Sequence, residues 1–404
     1  MSTSRRVLFV SHDAGRSGGT LFLLEMLRWM RQHTDLQFDV ALRWGGEMRP
    51  AFEALAPCVL LHPMSIPGLG RCAQVQGWWD RHVRHRRSYR TLQSLVDSGS
   101  YDLLYLNTIT LGDHLASLRR LPVPVITHVH ELASAIRRHA HGQERLVVRS
   151  SEQVICVSDA VLENLVSGLA CPRAKARRIH GFVPVDAEPS ATREELRTRL
   201  LAPLGIPPDA WLIGMCGFGN VGKGIDLAAP LARLLPAKLG TREVHMVWVG
   251  AEGADYPRER AVADATHAGV GPRLHFAGET RAPVDWLSIL DVHLMLSRED
   301  SFPLVMMEAA VQGVPTVAFS DTGGAMEFLG EDAGVCTPFL DLPGLAATLE
   351  RLLGNDAHRH ALGTAARSRV RRSHAPDVIV PQLMQVIEEV RGGRSTSGLR
   401  QGMS

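Results

Sequence analysis

The chain has no marked surplus of charge. Its 404 residues hold 44 basic and 42 acidic side chains, a formal net charge of +2, so no broad cationic field points to a nucleic-acid partner. It also has no apolar run long enough to span a bilayer. The run Val7–Val10, reached straight after Met-Ser-Thr-Ser-Arg-Arg, is too short for a signal peptide and passes at once into His12-Asp13. The expected location is therefore cytoplasmic. The six cysteines (Cys58, Cys72, Cys156, Cys171, Cys216 and Cys336) include no CxxC pair, which excludes a zinc knuckle or a dithiol redox motif. Cys156 and Cys216 lie in apolar runs and read as small core side chains. A regular GxGxxG is missing too, and with it the dinucleotide fingerprint.

What is present is repetition. Short apolar runs alternate with helical stretches along the whole chain, the signature of parallel αβ units. Strands are expected at Val7–Val10, Phe38–Leu42, Cys58–Leu61, Leu103–Leu106, Val125–Val129 and Val154–Val157. A second series is expected at Trp211–Met215, His245–Val249, Leu274–Phe276, Val292–Leu296 and Thr316–Phe319. The length suits two domains. They are placed at residues 1–186 and 187–374, with a helix near 375–391 packing back on the first and a disordered tail over 392–404. A first helix is expected over about Thr20–Gln32 and a continuous basic helix over Ala133–Ser150. Ligands of open α/β sheets bind beyond the carboxyl ends of the strands, so polar residues there carry the functional reading.

In the second series, strand Trp211–Met215 runs into Gly217-Phe-Gly-Asn-Val-Gly-Lys-Gly224. This nearly matches a P-loop, but Gly224 stands where the magnesium-holding Ser or Thr belongs. Either the loop is a tight turn with a surface lysine, or Gly217, Gly222 and Lys223 bring amides and a positive charge to a diphosphate. Strand Val292–Leu296 runs into Ser297-Arg-Glu-Asp300-Ser-Phe-Pro-Leu304-Val-Met-Met-Glu308. Asp300 and Glu308 are eight residues apart, so the loop presents the first acid and the helix the second. Carboxylates accept from vicinal sugar hydroxyls, and Ser301-Phe302-Pro303-Leu304 set amides at a helix start, where phosphate is favoured. The alternative makes Glu308 a solvated helix residue. Thr322-Gly323-Gly324, with Glu327 just beyond, is a second Gly pair or a plain turn.

In the first series, Gly18 and Gly19 separate the first strand and helix and can admit a diphosphate or a sugar. His12 and Asp13 sit at a strand end, as acceptor contacts or as a turn. Thr127-His-Val-His-Glu131 ends another strand. His128 and His130 lack a convincing third metal ligand in the sequence, so no metal is assigned. His130 is expected to donate to a sugar hydroxyl, with Glu131 orienting it or facing the acceptor. Ser158 and Asp159 look like a helix cap. The charge run Arg81, Arg84, Arg86, Arg87, Arg90 is either a solvated helix face or an anionic-surface patch, which would put the chain at the inner membrane face.

Taken together these segments resemble the retaining glycosyltransferases of family 4 (group 1), most specifically through Arg298–Ala318. The resemblance implies a GT-B fold, with two Rossmann-like domains facing each other across a deep cleft. It also implies transfer of a sugar, with retention, from a nucleotide-sugar donor (UDP first, GDP or ADP behind it) to an acceptor hydroxyl on a small molecule, glycan or lipid-linked glycan. No tightly bound cofactor is implied. By the same resemblance Lys223 holds the diphosphate, Glu308 the ribose, Asp300 approaches the transferred sugar, His130 lies near its C6 hydroxyl, and Ser158 matches a family serine. Two departures stand out. Asp300 occupies a position usually held by Glu. Phe218 occupies one usually held by Arg, and Arg298 is a candidate to compensate for it. A sugar-nucleotide epimerase, a phosphorylase or a non-catalytic nucleotide-sugar-binding protein are the alternatives on this fold.

Overall fold

Most of the apolar runs order as strands because they are covered on both faces, as the near-continuous Val, Ile and Leu composition of parallel sheets requires, while the edge runs at Cys58–Leu60 and Leu274–Gly278 are half-buried. A computed structural model describes residues 6–62, 85–117, 123–250 and 256–397. The chain divides into two units, Met1–Gly181 with Pro376–Ser404, and Phe182–Ala375.

The first unit holds strands β1 (Arg6–Ser11), β2 (Phe38–Leu42), β3 (Cys58–Leu60), β4 (Tyr101–Leu106), β5 (Val125–Val129), β6 (Gln153–Cys156) and β7 (Ala176–Arg178). They form one parallel sheet in the order β3-β2-β1-β4-β5-β6-β7. The chain winds outward from β1 to β3 and resumes at β4 on the other side of β1. The topological switch point therefore lies between β1 and β4. Phe9 of β1 packs between Phe38 and Tyr105, at ring distances of 5.7 and 4.9 Å. Helix Gly18–His33 buries Thr20, Leu23, Leu24, Leu27 and Met30, a stripe of three-to-four-residue spacing. Helix Pro376–Ser397 closes the unit: Asp377 accepts from Trp29 Nε1 at 2.5 Å and Arg391 pairs with Asp102 at 2.8 Å. This helix includes Gly392–Ser397, where the sequence suggested a disordered tail.

A second difference lies between Ala133 and Ser150. Two helices, Ala133–His139 and Glu144–Ser150, replace the single one expected. His141 and Gly142 between them adopt φ of 51° and 76°, a left-handed pair that no right-handed helix can contain.

The second unit holds β8 (Trp211–Cys216), β9 (Lys238–Leu239), β10 (Arg242–Val249), β11 (Leu274–Gly278), β12 (Val292–Met295), β13 (Thr316–Phe319) and β14 (Gly334–Thr337). Six run parallel in the order β11-β10-β8-β12-β13-β14, and short β9 pairs antiparallel with β10. Alternate residues serve two cores. Ile213, Met215, Met246 and Trp248 join one, while Leu212, Val247 and Val249 join the other, as the two-residue period of a strand dictates. The switch point here falls between β8 and β12.

Candidate active site

At the second unit's switch point, β8 and β12 deliver the Gly-rich and acidic segments side by side. After Cys216 the backbone turns at Gly217, whose φ is 135°. The Asn220 side chain then accepts from the Lys223 amide at 2.9 Å and caps a short helical turn, Val221–Lys223. Gly224 follows at φ 77°, and a Cβ there would lie 2.1 Å from the Leu296 carbonyl oxygen. The missing P-loop hydroxyl thus has a structural reason: at this position only glycine has both the backbone freedom and the clearance.

Lys223 Nζ makes an ion pair with Asp300 Oδ2. Asp300 is fixed by its backbone: its amide donates to the Thr322 carbonyl at 2.8 Å, and its carbonyl accepts from the Gly324 amide at 3.1 Å. The Thr322–Gly324 turn therefore braces the acidic loop. The side chain of Asp300 is nearly buried and that of Lys223 half-buried, so the pair is a desolvated charge of each sign at the mouth of the sheet. Helix Leu304–Val311 buries Met306, Met307, Ala309 and Ala310 and leaves Glu308 partly exposed. Burial pushes the Cys216 thiol up to about 12, with the Glu308 carboxylate adding to the rise and Lys223 opposing it. Both charges therefore act on the end of β8. Phe302 is buried and packs on His374 at 5.5 Å. Ser301 and Leu304 are partly exposed and Pro303 is buried.

Arg298 is differently employed from what its sequence position suggested. Its guanidinium holds Asp226 by two hydrogen bonds of 2.9 and 2.8 Å and donates to the Val221 carbonyl at 2.7 Å, while its amide bonds the Gly222 carbonyl. It staples the Gly-rich loop to the acidic loop. Phe218 is 55% exposed.

In the first unit the switch-point residues form a polar chain. Ser17 caps the first helix, so Gly18 and Gly19 lie inside its first turn rather than ahead of it. Asp13 Oδ1 accepts from the Gly15 amide at 2.9 Å and from Thr20 Oγ1 at 3.2 Å, a turn-forming role, and His12 Nε2 lies 3.5 Å from its other oxygen. Asn107, just past β4, donates from Nδ2 to the Gly19 carbonyl at 2.8 Å. Its Oδ1 is then the acceptor that meets His130 Nε2 at 3.2 Å. This sets the His130 tautomer: Nε2 carries the proton and Nδ1 the lone pair. Burial, reinforced by His12, holds the His130 pKa well below the usual histidine range, so the ring is neutral. Glu131 accepts from Thr108 Oγ1 and from the His130 amide at 3.0 Å. Burial raises its carboxyl pKa against those hydrogen bonds. His128 is fully buried, bonded to Tyr105 at 2.8 Å and 4.3 Å ring-to-ring from His130. Ser158 is buried as a helix N-cap and accepts from the Val161 amide at 3.1 Å.

Sequence reading had not singled out Asn107, Thr108 or Asp226. Asn107 and Thr108 follow β4 with no motif around them, and Asp226 lies two residues past the Gly-rich segment in the short turn Ile225–Leu227; only the fold brings each to its partner. In the basic run, Arg81 and Arg84 lie outside the described residues, and Arg90 is exposed on helix His85–Asp97.

Two family models match the chain. The model for glycosyltransferase family 4 covers residues 18–187, and the model for glycosyl transferases group 1 covers 197–369. A D-inositol 3-phosphate glycosyltransferase of Xylanimonas cellulosilytica is 30% identical over 291 residues, 68% of this chain and 69% of the relative. An N-acetyl-alpha-D-glucosaminyl L-malate synthase of Bacillus anthracis is 24% identical over 61% of this chain and 62% of its own. Among solved structures, Anabaena HepE in complex with UDP-glucose superposes with a TM-score of 0.78 at 17% identity, over 95% of this chain and 99% of that one. Sucrose-phosphate synthase from Thermosynechococcus elongatus gives 0.75 at 18% identity, over 96% and 100%. The chain belongs to the GT-B glycosyltransferases of family 4 (group 1).

Proposed function

We propose that this glycosyltransferase moves a sugar from a UDP-sugar to an acceptor hydroxyl with retention of the anomeric configuration. The observation that carries the reading is the Lys223–Asp300 ion pair at the β8/β12 switch point, with Glu308 one helix away. On donor binding the ammonium of Lys223 turns to the diphosphate and Asp300 accepts from hydroxyls of the sugar, while Glu308 accepts from the ribose. As the bond from the anomeric carbon to the diphosphate oxygen breaks, negative charge grows on the leaving group. Lys223 and the loop amides, already oriented, stabilise it. The acceptor oxygen bonds the same face of that carbon, and its proton passes to the departing phosphate oxygen. His130, neutral with its N–H given to Asn107, accepts from a hydroxyl of the transferred sugar rather than donating to it, and Glu131 serves the acceptor. Arg298 serves the diphosphate loop chiefly by bracing it, through its bonds to Asp226 and the Val221 carbonyl.

The HepE complexes support UDP as the nucleotide. The names of the two relatives above contain small anionic hydroxyl compounds, D-inositol 3-phosphate and L-malate, which support an acceptor of that class. The test is saturation-transfer NMR with a panel of nucleotide sugars. One donor is expected to be selected by the unmutated chain. Lys223→Ala is expected to weaken that binding and to lower kcat by about 10²–10³, the scale of losing one preorganised anion-stabilising donor. With an acceptor in hand, the anomeric proton coupling of the product should match that of the donor. Failure of every nucleotide sugar to bind overturns the donor site, and an inverted product overturns retention.

A further inference from the structure

The second unit has a basic cavity at the opposite end of its strands from Lys223 and Asp300. It encloses about 410 Å³ and is lined by Arg193, Arg197, Arg242, Arg359, His360 and Asp291, among others. Asp291 immediately precedes β12, and its Oδ2 accepts from the Leu212 amide in β8 at 2.8 Å, so the cavity sits at the amino ends of the strands. Ligands of parallel sheets are held at the carboxyl ends, and sheet geometry alone gives no reason for four guanidinium groups here.

The arginines divide into two pairs. Arg197 and Arg359 are buried and structural. Arg197 donates to the carbonyls of Pro208, Ile289 and Ala210. Arg359 donates to the Leu352 and Leu353 carbonyls and to Asp356. Arg193 and Arg242 face the opening, with side chains 44% and 32% exposed. The Arg193 terminal nitrogens reach the Ser288 and Leu290 carbonyls and Asp291. Arg242 lies 3.5 Å over the Trp211 ring and donates through Nε and one terminal nitrogen to the carbonyls of Asp209 and Ala210. Among the described residues, Arg193 Nε and Arg242 Nη1 have no hydrogen-bond partner. Within the lining Asp291 is the single carboxylate, and Asp356 just beyond it holds Arg359, so four permanent positive charges are met by two negative ones. Burial, and then the like charges of Arg359 and Arg242, act against the Arg193 guanidinium, while Asp291 supports it. A half-buried site with this excess of positive charge favours a compact polyanion, and guanidinium groups match the oxygens of phosphate in pairs.

We infer that this cavity is a second anion site, separate from the donor site, which takes phosphate or a small phosphorylated metabolite. Arg193 and Arg242 line its opening, and Arg197, Arg359 and Trp211 fix their surroundings.

The test uses the full chain carrying Lys223→Ala, so that phosphate binding at the donor loop is weakened. Titrations with inorganic phosphate, pyrophosphate and glucose 6-phosphate, at ionic strength matched with chloride, are followed by calorimetry. Saturable binding that persists in Lys223→Ala and weakens at least ~10-fold on adding Arg193→Gln and Arg242→Gln is expected. The tightest of the three ligands separates free phosphate from a phosphorylated metabolite. A second measurement leaves the arginines intact: pyrophosphate should slow phenylglyoxal modification of Arg193 and Arg242, mapped by mass spectrometry. No saturable binding in Lys223→Ala, binding indifferent to the two arginine substitutions, or absence of protection overturns the site.

Discussion

Burial holds His128, His130 and His293 in their neutral form. His128 and His293 are fully buried, and His130 is partly so. Burial lowers the pKa of each from 6.5, that of His293 to about 3 with a contribution from Lys223. A depressed histidine means that the unfolded chain binds a proton which the folded chain refuses. Stability from this source is complete above pH 6.5 and falls as the pH drops from there toward the folded value, by about 1.4 kcal/mol per pH unit for each group. Glu131 works in the opposite sense, because burial raises its carboxyl pKa, so folding favours its protonated form. His293 lies in the other unit and gives the cleaner measurement. Its Nδ1 bonds Thr316 at 3.0 Å, a contact an amide side chain can keep. Thermal midpoints taken between about pH 6.5 and 4.5, above the ordinary carboxylate range, should fall less steeply in His293→Asn than in the unmutated chain. Equal slopes would show that His293 protonates in the folded state as readily as in the unfolded one.

At the scale of elements, the site depends on two loops being held against each other. Gly224 has left-handed backbone and sits against Leu296 at the end of β12. In Gly224→Ala both the backbone strain and the collision with the Leu296 carbonyl must be absorbed, at a cost of about 1–3 kcal/mol for the strain alone. The relaxation that relieves them displaces Lys223, one residue away. The expected result is a lower thermal midpoint together with loss of donor binding, whereas Lys223→Ala should lose binding with the midpoint nearly unchanged. A variant of normal stability and affinity would show that the loop does not need this contact. Gly224 was legible in the sequence as a departure from a motif, but its reason was not, because Leu296 is distant in sequence. The same holds for Arg298, whose partner Asp226 lies 72 residues earlier. The placement of Lys223 and Asp300 in loops after strands, and of Glu308 on the helix that follows, was legible from local patterns. The main strands were legible from apolar runs buried on both faces. β7 and β14 were not, being three and four residues long with mixed polarity. The break at His141-Gly142 was missed because the helical pattern continues on either side of it and only backbone angles reveal it.

At the scale of the whole molecule, the chain leaves the first unit at Gly181 and returns to it at Pro376. The first unit is thus discontinuous, and its last helix arrives only after the second unit has been made. That helix contributes Ile379, Val380, Leu383, Val386 and Ile387, all buried to 3% exposure or less, and it ties down Trp29, Asp102 and Arg177. Fully burying one such apolar side chain is worth about 1.5–3 kcal/mol. Five together are comparable with the entire margin of about 5–15 kcal/mol that keeps a domain folded. The second unit is continuous and has its own two cores. A fragment of residues 182–375 should therefore unfold cooperatively by circular dichroism when made alone. A fragment of residues 1–181 should bind hydrophobic dye and lack a sharp transition, and adding a peptide of residues 376–397 should restore one. If residues 1–181 melt sharply without the peptide, the helix is an appendage and its buried side chains cover a surface the unit can close without them. If neither fragment folds, the stability of each unit depends on the other, and the burial within the second unit is insufficient to hold it.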